Sequence, residues 1–391
     1  MFKVLHLISS LEVGGTEMQL ANLLARTDRK RFEHCVVSLI VAGPVGEMIR
    51  AQGIRVYSLG MRRSVPSPSA VWKLWRLIRI ERPQIVQTWL YHADLLGLLV
   101  GKLANVPLLA WNLRCSWVDM RYYPKLSKFV VRILSRLSAI PDVVVVNSQA
   151  GREAHASLGY HPKRFEFIPN GFDLDRFQPD SSAREWLRME CRLPKEAMII
   201  GFVARYDHMK DHHTFLTAAR QVHAKHSHAY FVLCGTRVSE ENVELTRIIE
   251  DYGLSRYLRL LGPRHDIRRI TAAFDIACSS ASGEGFSNAI GEAMACGVPC
   301  VVTDVGDSAQ IVGPTGKVVP PRNPEAFAKA LSQLIEGGAE MRKQLGVRAR
   351  ARIADQFDIN AMAIRYEQLY LSLTNAVSQA VVCGETRPSH P

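Results

Sequence analysis

Two carboxylates and two cations set the chemistry open to this sequence. Glu284 and Glu292 stand with seven residues between them. A carboxylate beside a helix N-terminus can accept hydrogen bonds from vicinal hydroxyls, as a ribose or hexose presents them. The plainer reading of the same spacing is a helix whose first turns carry acids because the dipole favours them. Arg205 and Lys210 lie in G-F-V-A-R-Y-D-H-M-K-D, just after an apolar run. Parallel sheets bind ligands beyond the carboxyl ends of their strands. A guanidinium and an ammonium placed there can stabilise charge growing on a departing diphosphate without a metal. Against this stands an ordinary solvated loop with two basic residues.

The element that must position the acids spans residues 279–304, S-S-A-S-G-E-G-F-S-N-A-I-G-E-A-M-A-C-G-V-P-C-V-V-T-D. It reads as strand, loop, helix, turn and strand. The apolar run 274–278 fits a buried strand. Gly283, Gly285 and Ser287 make the next segment a loop. Ser287 is expected to cap the helix, and Gly297 falls where a left-handed C-cap belongs. Pro299 precedes a second apolar run at 300–303. A strand entering a helix N-terminus leaves backbone N–H groups pointing outward, which suits a phosphate.

The whole string, E-G-F-S-x4-E-A-M-A-C-G-x-P, resembles the donor-site signature of the GT4-type retaining glycosyltransferases (glycosyl transferases group 1). That resemblance implies an α/β chain of the GT-B fold, with two Rossmann-like doubly wound domains facing a cleft. It extends to R-x4-K at Arg205 and Lys210, and gives them the diphosphate. Glu292 is then assigned to the donor ribose and Glu284 to the donor hexose. Backbone of Gly285, Phe286, Ser287 and Asn288 is assigned to phosphates and sugar. Gly14-Gly15-Thr16-Glu17, which opens the first helix, matches the family's G-G-x-E and is implied to meet the donor phosphates as well. Arg205, Lys210 and Glu284 would be the catalytic residues of transfer with retention, the leaving phosphate taking the acceptor's proton. No hydrolase-like carboxylate pair is then required. No acidic cage or D-x-D stands at a strand end, so neither metal nor cofactor is expected; the nucleoside diphosphate sugar, a UDP-sugar foremost, is a substrate.

The sequence departs from the family pattern at two places. Relatives often carry a histidine after the fifth strand, where this chain has Trp111-Asn112-Leu113-Arg114-Cys115-Ser116; Asn112 or Arg114 takes its place. In Asp304-Val305-Gly306-Asp307-Ser308-Ala309-Gln310, Gln310 replaces an expected acid. His92 and Asp94, at the preceding strand end, are further acceptor-side candidates. His208 and His212 have helical i,i+4 spacing, but no fitting acid completes a metal site.

Strand-like and helix-like segments alternate almost throughout, as parallel α/β layers require. Strands are expected at 2–8, 35–41, 54–59, 84–88, 106–111, 142–147 and 164–168, and again at 198–203, 230–234, 258–261 and 317–319. The turn-rich stretch 169–180 resembles the family's N-G-x-D-x-x-x-F linker, with Phe177 as its aromatic. From 323 to about 374 the pattern is helical, broken near Gly337-Gly338 and Asp358. The expected division is 1–172 for an acceptor-binding domain and 173–358 for a sugar-nucleotide-binding domain. A last helix at 359–373 returns to the first domain, and a disordered tail follows at 374–391.

The chain has 391 residues, 47% of them hydrophobic, with a formal net charge of +12. No apolar run approaches the ~20 residues of a membrane-spanning helix, and the N-terminus reads as a strand and not a signal peptide. Eight cysteines without CxxC spacing point to a reducing, cytoplasmic compartment. The positive charge favours polyanionic partners, and no nucleic-acid module is recognisable. Two basic stretches, 62–82 with Trp72, Lys73, Trp75, Arg76 and Arg79, and 114–136 with Trp117, Arg121, Tyr122, Tyr123, Lys125, Lys128, Arg132 and Arg136, mix cations with aromatics. That mixture suits an anionic membrane surface. The expected function is transfer of a hexose or N-acetylhexosamine to a glycan acceptor, lipid-linked, at the cytoplasmic face of a membrane. It would serve synthesis of cell-surface polysaccharide, lipopolysaccharide or glycolipid. The alternatives are a nucleotide-sugar epimerase on the same scaffold and a non-catalytic sugar-nucleotide-binding subunit.

Overall fold

The computed structural model describes residues 1–62, 67–115 and 124–382, side chains of 376–382 excepted. Trp117, Arg121, Tyr122 and Tyr123 of the second basic stretch, part of the first, and the chain from 383 lie outside them. The chain divides into two units, Met1–Gly171 with the segment from Ile359, and Phe172–Asp358.

The first unit alternates β1 (Phe2–Ile8), α1 (Gly15–Arg26), β2 (Phe32–Ser38), α2 (Gly43–Ala51), β3 (Arg55–Ser58), α3 (Pro68–Glu81), β4 (Ile85–Trp89), α4 (Tyr91–Leu103), β5 (Leu108–Leu113), α5 (Lys125–Leu137), β6 (Val143–Val146), α6 (Gln149–Ser157) and β7 (Phe165–Phe167). Its seven strands are all parallel, in the order β3-β2-β1-β4-β5-β6-β7. Strands such as Val143–Val146 are buried along their whole length because helices cover both faces of a parallel sheet.

The second unit contains α7 (Ala183–Cys191), β8 (Met198–Val203), α8 (His212–Lys225), β9 (Ala229–Cys234), α9 (Val243–Asp251), β10 (Leu258–Leu260), α10 (Ile267–Ala272), β11 (Ile276–Ser279), α11 (Asn288–Ala295), β12 (Cys300–Thr303), α12 (Ser308–Val312), β13 (Lys317–Val319), α13 (Pro324–Glu336) and α14 (Gly338–Gln356). Its parallel order is β10-β9-β8-β11-β12-β13. The direction of winding reverses between β8 and β11, which are hydrogen-bonded neighbours, and such a switch point opens a crevice at the strand ends.

The last helix, α15 (Ile359–Val382), belongs to the first unit. Ile359, Met362, Ala363, Tyr366, Leu369, Tyr370 and Leu373 recur at helical spacing and are all buried. Each large side chain so covered contributes about 1.5–3 kcal/mol. Tyr366 Oη accepts a hydrogen bond from Asn112 Nδ2 at 2.8 Å, and Tyr370 Oη donates to Gln87 Oε1.

Four expectations are corrected. The helix runs on to Val382, so the segment from 374 is not a disordered tail as a whole. Ser287 occupies the N-cap of α11, but its side chain makes no capping bond. His208 and His212 do not share a helix: His208–Lys210 is a short 3-10 turn, and Asp211, at φ 46°, breaks the chain before α8. Asn112 lies within β5, which extends to Leu113. Helices α2, α7, α10 and α12 were not foreseen; three of them are nine residues or fewer and α12 has only five, too short for a clear apolar period. Among the described residues no helix is long and apolar enough to cross a membrane.

Candidate functional site

The site is built on the two loops that leave the switch-point strands of the second unit. The loop after β8 carries Arg205 and Lys210; the loop after β11 carries Glu284. Asp207 accepts from the Met209 amide at 2.9 Å and so starts the 3-10 turn that ends at Lys210. Asp211 then caps α8 through the Thr214 amide at 3.1 Å. The turn is laced to its neighbour: the Met209 carbonyl accepts the amides of Ser282 at 2.8 Å and Gly283 at 3.3 Å. Ser280 Oγ donates to the carbonyls of Lys210 and Asp211 at 3.1 and 2.9 Å. The outcome is that Lys210 Nζ donates to Glu284 Oε2. Arg205 stays exposed, its Nε 3.4 Å from Asp207 Oδ2.

The loop is held from below by packing. Phe286 is buried, stacked on Phe172 at 6.1 Å between centroids and edge-on to Phe357 at 5.5 Å. Gly285 accepts the Asp307 amide at 3.0 Å. Gly306, at φ 56°, approaches so closely that a Cβ would lie 2.2 Å from the Glu284 carbonyl oxygen. Only glycine meets both demands. Ser287 is buried and Asn288 begins α11. Gly297, at φ 75°, ends the turn after α11 as the sequence indicated.

Glu292 lies on the second turn of α11, partly covered. Desolvation raises its carboxyl to about pKa 7, against the opposing pull of the Arg176 guanidinium. A carboxyl held in this way gains most from a partner that donates hydrogen bonds to it.

The first-unit candidates form a different setting. Gly14 and Gly15 open α1; Gly14 is extended, and the Glu17 carboxylate lies where its Cβ would be. Asp94 is fully buried, accepts from Thr88 Oγ1 at 2.5 Å, and is pushed well above the usual carboxylate range by burial. His92 is half-buried and its pKa is lowered by desolvation. Asn112 is buried under Tyr366, with Oδ1 unpartnered. The Arg114 guanidinium lies 5.2 Å over the Trp89 ring, its charge opposed by desolvation and favoured by Tyr366 and Glu17. The structure thus brings Lys210 onto Glu284, next in the chain to the Gly285–Asn288 backbone, with Arg205 exposed on the same loop as Lys210. Asp94 and Asn112 instead sit within the body of the first unit. Sequence reasoning missed Asp207, Ser280, Gly306 and Tyr366, which act by positioning; only their places at strand ends and in an apolar helical stripe signal them. Gln310 is exposed at α12. Among the described residues no group of three histidines, cysteines or acids is placed to hold a metal ion.

Residues 13–176 match the family model for Glycosyltransferase Family 4, and residues 197–337 match the model for Glycosyl transferases group 1. The D-inositol 3-phosphate glycosyltransferase of Corynebacterium urealyticum is 32% identical over 207 residues, 50% of this chain and 48% of that protein. The chain thus spans about half the length of that relative. The N,N'-diacetylbacillosaminyl-diphospho-undecaprenol alpha-1,3-N-acetylgalactosaminyltransferase of Campylobacter jejuni is 25% identical over 338 residues, 83% of this chain and 87% of that one. The crystal structure of Anabaena HepE in complex with UDP superposes with a TM-score of 0.82 at 22% identity, covering 95% of this chain and all of that one. With both family models matched in order along the chain, and with two doubly wound parallel sheets, the chain belongs to the group 1, family 4 glycosyltransferases and has their GT-B fold.

Proposed function

We propose that the chain moves a hexose or N-acetylhexosamine from a nucleoside diphosphate sugar to a lipid-linked glycan acceptor, with retention at the anomeric carbon. The Lys210–Glu284 pair at the β8/β11 switch point carries this reading. It puts a cation for the departing diphosphate beside a carboxylate for sugar hydroxyls, in the crevice where this architecture binds ligands. UDP is the nucleotide of choice, supported by the UDP complex of HepE. A diphospho-undecaprenol acceptor is named for the Campylobacter relative, and it supports a lipid-linked acceptor here.

Glu292 would accept the ribose hydroxyls, and the amides of Gly285 to Asn288, at the start of α11, the phosphates. Arg205 and Lys210 would take up the negative charge as the bond from the anomeric carbon to the phosphate oxygen breaks. The acceptor oxygen would bond to the same face, its proton passing to the departing phosphate. His92, Asp94, Asn112 and Arg114 would serve the acceptor side, Asp94 and Asn112 from within the unit. No metal is needed in this scheme, because the two cations balance the diphosphate.

The test is calorimetry with UDP, GDP, ADP and CMP in chelator, on wild type and Glu292→Ala. One diphosphate binding without metal, weakened about 10- to 100-fold by the substitution, is the expected result for a charged hydrogen-bond partner. No binding, or indifference to Glu292→Ala, would remove the donor site from this place.

A further inference from the structure

One face of the first unit is unlike the rest of its surface. Helix α4 packs between α3 and α5, and the three share one apolar core against the sheet through Leu74, Ile78, Leu98, Val100, Val130 and Leu134. With their inner stripes so used, their outer stripes remain apolar. Trp72 is 56% exposed, Ile80 63%, Leu99 57%, Leu103 66% and Phe129 60%. A soluble surface scatters such residues singly; a run of them over three adjacent helices marks an interaction surface.

The charges between them are of one sign. On α3 the exposed Lys73, Arg76 and Arg79 flank Trp72, with the Arg76 guanidinium 5.5 Å over the Trp72 ring. Lys102 adjoins Leu103 on α4. On α5 the outward positions read Lys125, Phe129, Arg132, Arg136, spaced four, three and four residues apart, which is one line along a helix. The only acids on the three helices are Glu81 and Asp94, and both are buried. The face is therefore cationic with nothing on these helices to neutralise it, and aromatic at its level of contact.

We infer that α3, α4 and α5 together form the surface by which this protein lies on an anionic lipid bilayer. Charge complementarity singles out that occupant: Lys and Arg heads meet acidic headgroups, while Trp72, Leu99, Leu103 and Phe129 enter the boundary below them. The inference rests on the proposed lipid-linked acceptor for its purpose, but not for its evidence. It goes beyond the two basic stretches of the sequence by adding α4, which contributes Leu99 and Leu103 and packs against both α3 and α5.

Co-sedimentation of the full chain with sonicated vesicles tests it, using phosphatidylcholine alone and phosphatidylcholine with phosphatidylglycerol, with no donor or acceptor present. Binding to the acidic vesicles only is expected, lost on raising salt as exposed charges are screened. Lys125→Gln, Arg132→Gln and Arg136→Gln together should weaken it about a hundred-fold. Leu99→Ser with Leu103→Ser should weaken it too, although it removes no charge. UDP binding by each variant, measured in parallel, reports that the protein is folded and tests the donor reading separately. For wild type, absent UDP binding with intact vesicle binding sinks the donor reading alone, and absent vesicle binding with intact UDP binding sinks the membrane face alone. For the variants, weakened vesicle binding with intact UDP binding is the expected result. Equal binding by the Leu99/Leu103 variant and wild type would mean a polyanion site without insertion, and would overturn the proposal. So would binding to neutral vesicles that salt does not weaken, or capture of a protein and no vesicle.

Discussion

The Lys210 ammonium rests on the Glu284 carboxylate across the two strand ends where the second sheet reverses direction. Each group fixes the other, and in the proposed reaction both would meet the hydroxyls and phosphates of the donor. Lys210→Ala should therefore lower the transfer rate about 100- to 1000-fold, the scale of removing one donor to developing charge. The far-UV circular dichroism should not change. Near wild-type turnover in single-turnover assays would remove Lys210 from the mechanism.

Gly306→Ala should damage the same site from behind. The new Cβ would meet the Glu284 carbonyl oxygen at 2.2 Å, at a φ of 56° that side chains rarely adopt. A backbone cost of about 1–3 kcal/mol is expected. A fall in Tm together with weaker UDP binding would show that Glu284 has moved; loss of Tm alone would show that it has not.

The C-terminal helix depends on two buried phenols. Tyr366→Phe leaves Asn112 without its partner, and Tyr370→Phe does the same to Gln87. Each should cost about 1–3 kcal/mol in urea unfolding, since a buried amide is left unsatisfied. The double variant should be nearly additive if the two bonds are independent.

Acid should destabilise the fold in a definite window. Burial holds His34, His155 and His212 near pKa 4, against 6.5 when unfolded. Below 6.5 the unfolded chain takes up protons that the folded one does not. Stability falls by about 1.4 kcal/mol per pH unit for each histidine until pH approaches 4. Glu292, raised to about 7, works the other way between 7 and the ordinary carboxylate range. Asp94, raised by burial, joins Glu292, and His6, lowered by burial, joins the three rings, so the histidines outnumber the carboxyls and stability falls from pH 6.5 to 4.5. A flat denaturation midpoint over that range would contradict the burial assigned to the three rings.

Much of this was legible in the sequence because local signals agreed. The apolar runs at β8 and β12 are short, bounded and rich in β-branched residues, and Gly297 marks the end of α11 through a conformation only glycine takes easily. The Glu284 and Lys210 loops were legible as candidates because they follow strands. That they touch was not, since it depends on β8 and β11 being neighbours although two strands intervene in sequence. Asp94 was legible as a carboxylate in the first turn of a helix; that Thr88 holds it inside was not. Ser287 stands at the N-cap by type and place, yet its buried side chain makes no capping bond.

The return of α15 to the first unit bears on how the protein is made. The chain leaves that unit at Gly171 and rejoins it at Ile359, so the ribosome completes the whole of the second unit before the helix that covers β4 and β5 exists. At ordinary rates of synthesis that interval is on the order of tens of seconds. Until then Gln87, Asn112 and the apolar face around Trp89 lack their cover. A nascent chain halted before Ile359 should bind chaperones through its first half, although its second half is already complete.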